Sequence, residues 1–466
     1  MLAARLNELS ELDRISITVA KPFVLPWYRL PFVHWTMIAD GAVIRRGAVY
    51  ASSDKLGKEA RGVLVCESRL IGLRRSFETT IVPWDVDSKT LTFSRELGEY
   101  TILGCFEGRV YFTSESDLYY SDDGFETEIY ISTLPWKLRY RSDRSLLLKT
   151  PVGWFLRTDG GVVHSKDLKK WSVAVEIGSR GMFQHLDYLV DEQSGSVFIF
   201  AAEYSTNADH RHGVYRGEYR IDGGVAWERS FEFLSSSEGK NNVSGKFSAR
   251  HIHVLTVDKA TSTLWLATGD SNSESAIYYS ENRGDNFKLF ASGSQQYRTL
   301  MLIFTEKYLY WNMDTHSQDQ HVYRIARTSY QPLLSTAGQL SSLVDKEKES
   351  VACLPYGAQW YGVIVKDLAG HDVLLMSASP ESQVPGTEET PHRDWNARIF
   401  SLSGLDLQHP AVAEAASIPL REGVEGKFRR YNRVDPRCQD DNGYVYCMAN
   451  NSFFYGAQMT KLNIES

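Results

Sequence analysis

Two histidines separated by one residue, His251 and His253, stand where a polar stretch runs into an apolar one (Arg250-His251-Ile252-His253-Val254-Leu255). In a strand, alternate side chains share a face, so the two imidazoles are expected side by side. An uncharged imidazole accepts a proton near neutral pH. The stretch turns at Asp258 and returns through Leu264 to Gly269-Asp270. An earlier stretch has the same plan: Gln184-His185-Leu186-Asp187 leads into a segment that turns at Asp191 and returns through Val197 to Glu203-Tyr204. A later one begins Gly293-Ser294-Gln295-Gln296-Tyr297-Arg298, and Trp311-Asn312-Met313-Asp314 closes its return. His251, His253, Tyr204, Arg298 and Asp270 are of the types that move protons or neutralise a carboxylate. His185, Glu203, Gln296, Trp311 and Asp314 are expected to hold the substrate beside them, Trp311 by offering a flat face to a sugar ring.

What must position these residues is a set of strands whose ends coincide. Short apolar or aromatic windows recur at Ala48-Val49-Tyr50, Val110-Tyr111-Phe112, Trp154-Phe155-Leu156, Val197 to Phe200, Leu264-Trp265-Leu266, Tyr308 to Trp311, Trp360 to Val363 and Tyr444 to Cys447. Such windows, β-branched and aromatic and bounded by turn residues, read as strands. Spacing of this order suits four-stranded units repeated around a ring. The expected fold is therefore an all-β propeller, a single domain over 1–466 with a short N-terminal helix. Seven four-stranded blades are favoured, six or eight being compatible with the spacing, and the last window would help to close the first blade. In such a ring, polar residues at the start of the inner strands line the channel mouth. They would form either one pocket or a hydrogen-bonded plug.

Polar turns mark the hairpins. Ser280-Glu281-Asn282-Arg283-Gly284-Asp285-Asn286 separates Tyr279 from Phe287, and Ser121-Asp122-Asp123-Gly124 repeats the pattern. His164-Ser165-Lys166-Asp167-Leu168-Lys169-Lys170-Trp171 is a third copy and Arg220-Ile221-Asp222-Gly223-Gly224-Val225-Ala226-Trp227 a weaker fourth. Ser-x-Asp-x-Gly-x-x-Trp/Phe after a strand resembles the Asp-box (BNR) repeat of sialidase-like β-propellers, with Asn282 in place of the family's Asp. The resemblance implies a folding device away from the active face. Tyr28-Arg29-Leu30-Pro31 resembles the Phe/Tyr-Arg-Ile-Pro signature of the same family, which makes Arg29 a candidate carboxylate ligand and Asp54 a candidate acid. His-x-His with a nearby Gln or carboxylate resembles the metal site of some propeller-fold pectate-type lyases. A metal at His251 and His253 is therefore possible, although no cofactor is required.

The chain has 466 residues, a net charge of −7, 25 Tyr and 11 Trp. The negative balance argues against a nucleic-acid partner, and an anionic ligand would need a local cationic cluster. No apolar run approaches a membrane span. The five cysteines (Cys66, Cys105, Cys353, Cys438, Cys447) are scattered and form no CxxC pair, so no disulfide framework or zinc ribbon is indicated. Without a signal peptide the chain reads as cytoplasmic and reduced, a secreted mature form being the alternative. Leu2, Leu6 and Leu9 at helical spacing suggest the short amphipathic helix.

Two classes of function follow. One is a glycan-cleaving enzyme acting on an acidic oligosaccharide or polysaccharide. As a hydrolase it would need Asp54 or Asp270 as acid, and in the sialidase version three arginines, of which Arg29 and Arg298 supply two. As a lyase it would need a His or Tyr base next to a uronic carboxylate. The other class is a non-catalytic propeller that binds a glycan or a protein.

Overall fold

The computed structural model describes residues 37–39, 42–45, 48–51, 91–98, 100–135, 146–158, 160–176, 182–205, 207, 209–220, 225–239, 247–315, 320–334, 340–354, 359–367, 369–378, 397–418, 433–451 and 454–462. The chain divides into two compact units, Met1–Val82 and Pro83–Ser466. The expected N-terminal helix, Arg29 and Asp54 lie outside the described residues.

In the first unit, Met37–Ala39, Ala42–Arg45 and Ala48–Ala51 form an antiparallel three-stranded sheet. The Ala48-Val49-Tyr50 window, expected as the first of the blades, is the last strand of this small sheet.

The described residues of the second unit form seven four-stranded antiparallel sheets. Sheets 1 to 6 each use consecutive strands, over 101–133, 147–176, 182–233, 251–292, 302–354 and 359–418. Sheet 7 takes three strands from 433–462 and its fourth, Leu91–Gly98, from the start of the unit. Leu91–Gly98 pairs antiparallel with Phe454–Leu462. The last window thus belongs to a sheet whose outer strand, Leu91–Gly98, comes from the start of the unit, so backbone hydrogen bonds join the two ends of the unit.

Each sheet packs on the next through one apolar cluster. Leu103, Leu147 and Leu156 join sheets 1 and 2, and Phe155, Val162 and Ile199 join sheets 2 and 3. Phe200, Ile252 and Leu266 join 3 and 4, while Trp265, Tyr279 and Trp311 join 4 and 5. Met301, Tyr310 and Met376 join 5 and 6, and Leu375, Val434 and Val445 join 6 and 7. Phe112, Tyr446 and Met448 return from sheet 7 to sheet 1. The all-β propeller with four-stranded blades is the architecture found. Sandwiching explains the windows: a middle strand is covered on both faces, so Thr263–Gly269 is buried at every position, whereas the fourth strand Ser172–Glu176 faces water over much of its length.

The serine-led turns join third to fourth strands. Ser280 Oγ donates to Asn282 Oδ1 (2.8 Å) and accepts from Gly284 N, and Asn282 Oδ1 accepts from Asn286 N. Ser121 Oγ likewise donates to Asp123 Oδ1 and accepts from Phe125 N, and Asp123 accepts from both Thr127 N and Thr127 Oγ1. Asp167 accepts from Lys169 N and Lys170 N. The backbone here is left-handed, with φ of 84° at Gly284 and 72° at Gly124, which only glycine adopts freely. The Asp123 carboxyl is lowered to about 2, chiefly by the Thr127 hydroxyl and backbone bonds. A group whose folded pKa is depressed adds stability above its unfolded pKa (about 3.9) and loses it as pH falls through the folded value. Asp123→Ala should therefore melt below wild type near neutral pH, and the gap should narrow between about pH 4 and about pH 2. A gap independent of pH in thermal melts would refute this.

Cys105 and Cys438, 333 residues apart, form a disulfide between the inner strands of sheets 1 and 7. The reading of the cysteines as unpaired is corrected here: ring closure brings the two together, and spacing along the chain carries no trace of it. Cys447 is buried, and burial pushes its thiol pKa up. Among the described residues no helix is long and apolar enough to cross a membrane.

Candidate functional site

Sheets 3, 4 and 5 bring the start of each inner strand beside the end of its partner strand. In sheet 4 the inner strand His251–Asp258 pairs with Thr263–Gly269, and His251 lies opposite Gly269. That register puts Asp270, one residue further on, against both histidines. The ladder shifts between Ile252 and Val254, so His253 occupies a bulge, a device that re-aims a side chain. The imidazoles of His251 and His253 stack with centroids 4.7 Å apart. They share a face as alternation predicts, with the bulge setting the final angle.

Asp270 is the hub. Its Oδ1 lies 3.1 Å from His251 Nε2, 3.6 Å from His253 Nε2 and 3.2 Å from Arg298 Nη2. Its Oδ2 lies 3.1 Å from Arg250 Nη1. Burial alone would raise its pKa, but hydrogen bonds from His251 and His253 outweigh it and hold the carboxyl far below the usual carboxylate range. A 3-10 turn, Gln295–Tyr297, capped by Ser294, delivers Arg298, whose Nε donates to Asp314 Oδ2 (3.1 Å). Asp314 N donates to the Arg298 carbonyl (2.7 Å), locking the two together. His253 Nδ1 is 3.6 Å from Asp314 Oδ2, and burial lowers the pKa of this wholly enclosed imidazole. His185 Nε2 donates to the His253 carbonyl (2.6 Å), and the Tyr204 ring lies 4.4 Å from that of His251. Asp187 clamps sheets 3 and 4, accepting from Val257 N (2.7 Å) and Lys259 Nζ (2.6 Å).

The structure thus gathers His185, Tyr204, His251, His253, Asp270, Arg298 and Asp314. It does not gather the rest. Trp311 is fully buried in the cluster between sheets 4 and 5, its indole N–H donating to the Gln296 carbonyl (2.9 Å). Its face is covered by protein, so it offers no sugar platform, and Gln296 contributes its backbone. Glu203 is buried and committed to Arg229 Nη2 (2.9 Å), Gly213 N (2.5 Å) and Tyr215 Oη (3.3 Å). It anchors sheet 3 and is not free to hold substrate. Beside it His212 is buried, and that burial lowers its pKa to about 3. Arg250, 44% exposed at its side chain, is the cation that sequence reasoning passed over. Its position next to His251 was the available signal.

A divalent ion would find suitable donors in His251, His253 and Asp270, whose ligand atoms all lie within 4.8 Å of one another. The 3.1 and 3.6 Å separations also suit tetrahedral bonds of about 2.0–2.2 Å. Two guanidinium groups, however, already supply positive charge to both oxygens of Asp270. The donor geometry fits a metal and the local charge does not, so no step is assigned to one.

Gly269 permits the close approach. A Cβ there would stand 2.7 Å from His253 Cε1 and 2.8 Å from Arg298 Cγ. Gly269→Ala should displace one of the two side chains, and we expect at least about a tenfold loss in whatever the site binds or turns over. Unchanged affinity and turnover would show that this packing does not matter.

No family model matches the chain, and no curated protein matches it. Solved structures do. An oligogalacturonate lyase in complex with manganese aligns at 9% identity and a TM-score of 0.47, over 81% of this chain and 94% of its own. Trypanosoma rangeli sialidase aligns at 12% and 0.39, over 79% of this chain and 55% of its own. A calcium-binding regucalcin from Agrobacterium tumefaciens aligns at 9% and 0.38, over 72% and 96%. At these identities no residue role or activity is carried over from any of them.

Proposed function

We propose that the protein binds an acidic glycan at the Asp270 cluster and cleaves it by elimination. The observation that carries this is the convergence of two imidazoles and two guanidinium groups on one carboxylate. Arg250, the most exposed of these groups, receives the uronic carboxylate, exchanging Asp270 Oδ2 for it through its two-pronged donor geometry. Arg298 stays behind Asp270 and supports the charge that develops on the carboxylate side. His251 keeps its Nε2–H on Asp270, which holds the imidazole in place, and takes the ring proton next to that carboxylate on Nδ1, which has to leave the Ser205 carbonyl (3.3 Å) to do so. As the carbon–carbon double bond forms, the bond to the glycosidic oxygen breaks, and the Tyr204 phenol returns a proton to that oxygen.

The low Asp270 pKa favours elimination over acid-assisted hydrolysis, because a carboxyl held ionised has no proton to give near neutral pH. A non-catalytic reading also has an observation behind it. Both oxygens of Asp270 are engaged and the two histidines are 5% and 2% exposed, as in a structural plug. One panel separates the readings: glycans of uronic and nonulosonic acids, with reducing ends and unsaturated-uronate absorbance both recorded. Elimination raises both signals and hydrolysis raises reducing ends alone. If neither rises on any glycan, the enzyme reading is lost.

A further inference from the structure

Five inner strands carry a ladder shift: four early in the strand, between Ile102 and Gly104, Phe183 and His185, Ile252 and Val254, and Gln359 and Gly362, and one later in it, between Pro436 and Cys438. In sheet 4 the bulge residue is His253. In sheet 7 it is Arg437, and the shift in sheet 6 takes in Tyr361, whose N–H donates to Ser377 Oγ (3.1 Å). The inner strands of sheets 6 and 7 are neighbours, and the Arg437 guanidinium lies over the Tyr361 ring, 5.5 Å from its centroid.

These two side chains share a deficit, which the Asp435 carboxylate two residues before Arg437 does not fill. Arg437 Nε, Arg437 Nη2 and Tyr361 Oη are all buried, and none has a hydrogen-bond partner among the described residues. A buried donor left unmade costs about 1–3 kcal/mol, and more on a charged group. Three such atoms on two touching side chains therefore call for an acceptor. Nε and Nη2 form the side of guanidinium that grips two oxygens of one planar or tetrahedral anion. The phenol adds a third donor next to it. Asp435 is buried on the same strand, so the ligand has to be held by directed bonds rather than by net positive charge.

We propose that Arg437 and Tyr361 form an oxyanion-binding site at the inner strands of sheets 6 and 7, taking a carboxylate or a phosphate. It shares no residue with the Asp270 cluster and stands whether or not that cluster is catalytic.

The test is thermal melting and titration calorimetry of the full chain with sodium acetate, D-galacturonate and inorganic phosphate, against chloride at matched ionic strength. Variants Arg437→Gln and Tyr361→Phe are compared with wild type. At least one oxyanion should raise the wild-type melting temperature, with affinity at least tenfold weaker in Arg437→Gln and measurably weaker in Tyr361→Phe. A response to acetate and galacturonate assigns the carboxylate, and a response to phosphate alone assigns that ion. Should Arg437→Gln fail to fold, Tyr361→Phe decides. No response in wild type, or equal responses in wild type and Tyr361→Phe, overturns the site.

Discussion

Asp270→Asn is expected to reduce turnover of an acidic glycan by at least about a hundredfold, the scale set by removing a group that positions a proton acceptor. The asparagine keeps the shape but loses the charge that holds His251, His253, Arg250 and Arg298 together. One of its two positions would present an N–H₂ to groups that are themselves donors. The same substitution leaves two guanidinium groups short of a counter-charge, so a stability loss of about 2 kcal/mol is expected beside the loss of rate. Arg298 retains Asp314, which limits that loss. Steady-state kinetics on any substrate found in the panel, corrected for the folded fraction, checks the rate. Full activity in Asp270→Asn would remove Asp270 from the mechanism.

The largest effect on stability should come from the far end of the strand that begins with His251. Asp258 is 2% exposed, and its Oδ2 accepts from Arg327 Nη2 (2.6 Å) and Thr261 Oγ1 (2.7 Å). Arg327, also buried, reaches the Thr305 carbonyl as well, so the pair ties sheet 4 to sheet 5. Breaking a buried pair from one side costs about 3–5 kcal/mol, because the partner charge stays inside without its counter-charge. Asp258→Ala is therefore expected to unfold at far lower denaturant, with activity per folded molecule unchanged. The double variant Asp258→Leu/Arg327→Met should recover much of the loss. If Asp258→Ala unfolds like wild type in urea, the ion pair contributes nothing.

Together these residues show how much the sequence discloses. The windows of β-branched and aromatic residues were legible because middle strands are covered on both faces and must be apolar throughout. The serine-led turns were legible because their side chains bond their own backbone, a local matter. His251, His253, Asp270, Arg298 and Asp314 could be read as a group because strand starts and strand ends coincide in an antiparallel sheet. Trp311 misled because an aromatic at a strand end looks the same whether it faces a channel or the next sheet. Glu203 misled because its partner Arg229 lies 26 residues away on the fourth strand. The Cys105–Cys438 bond and the closing strand Leu91–Gly98 depend on contacts across the whole chain.

The most direct measurement on the Asp270 cluster is titration calorimetry of an acidic oligosaccharide with wild type and Arg250→Gln, both confirmed folded by melting. Arg250 is exposed, so its removal should leave the fold intact. The predicted result is a dissociation constant at least about tenfold higher in the variant, one lost charge-assisted pair being worth about 1.5–3 kcal/mol. Equal affinity in the two proteins would contradict the claim that this cluster receives the glycan.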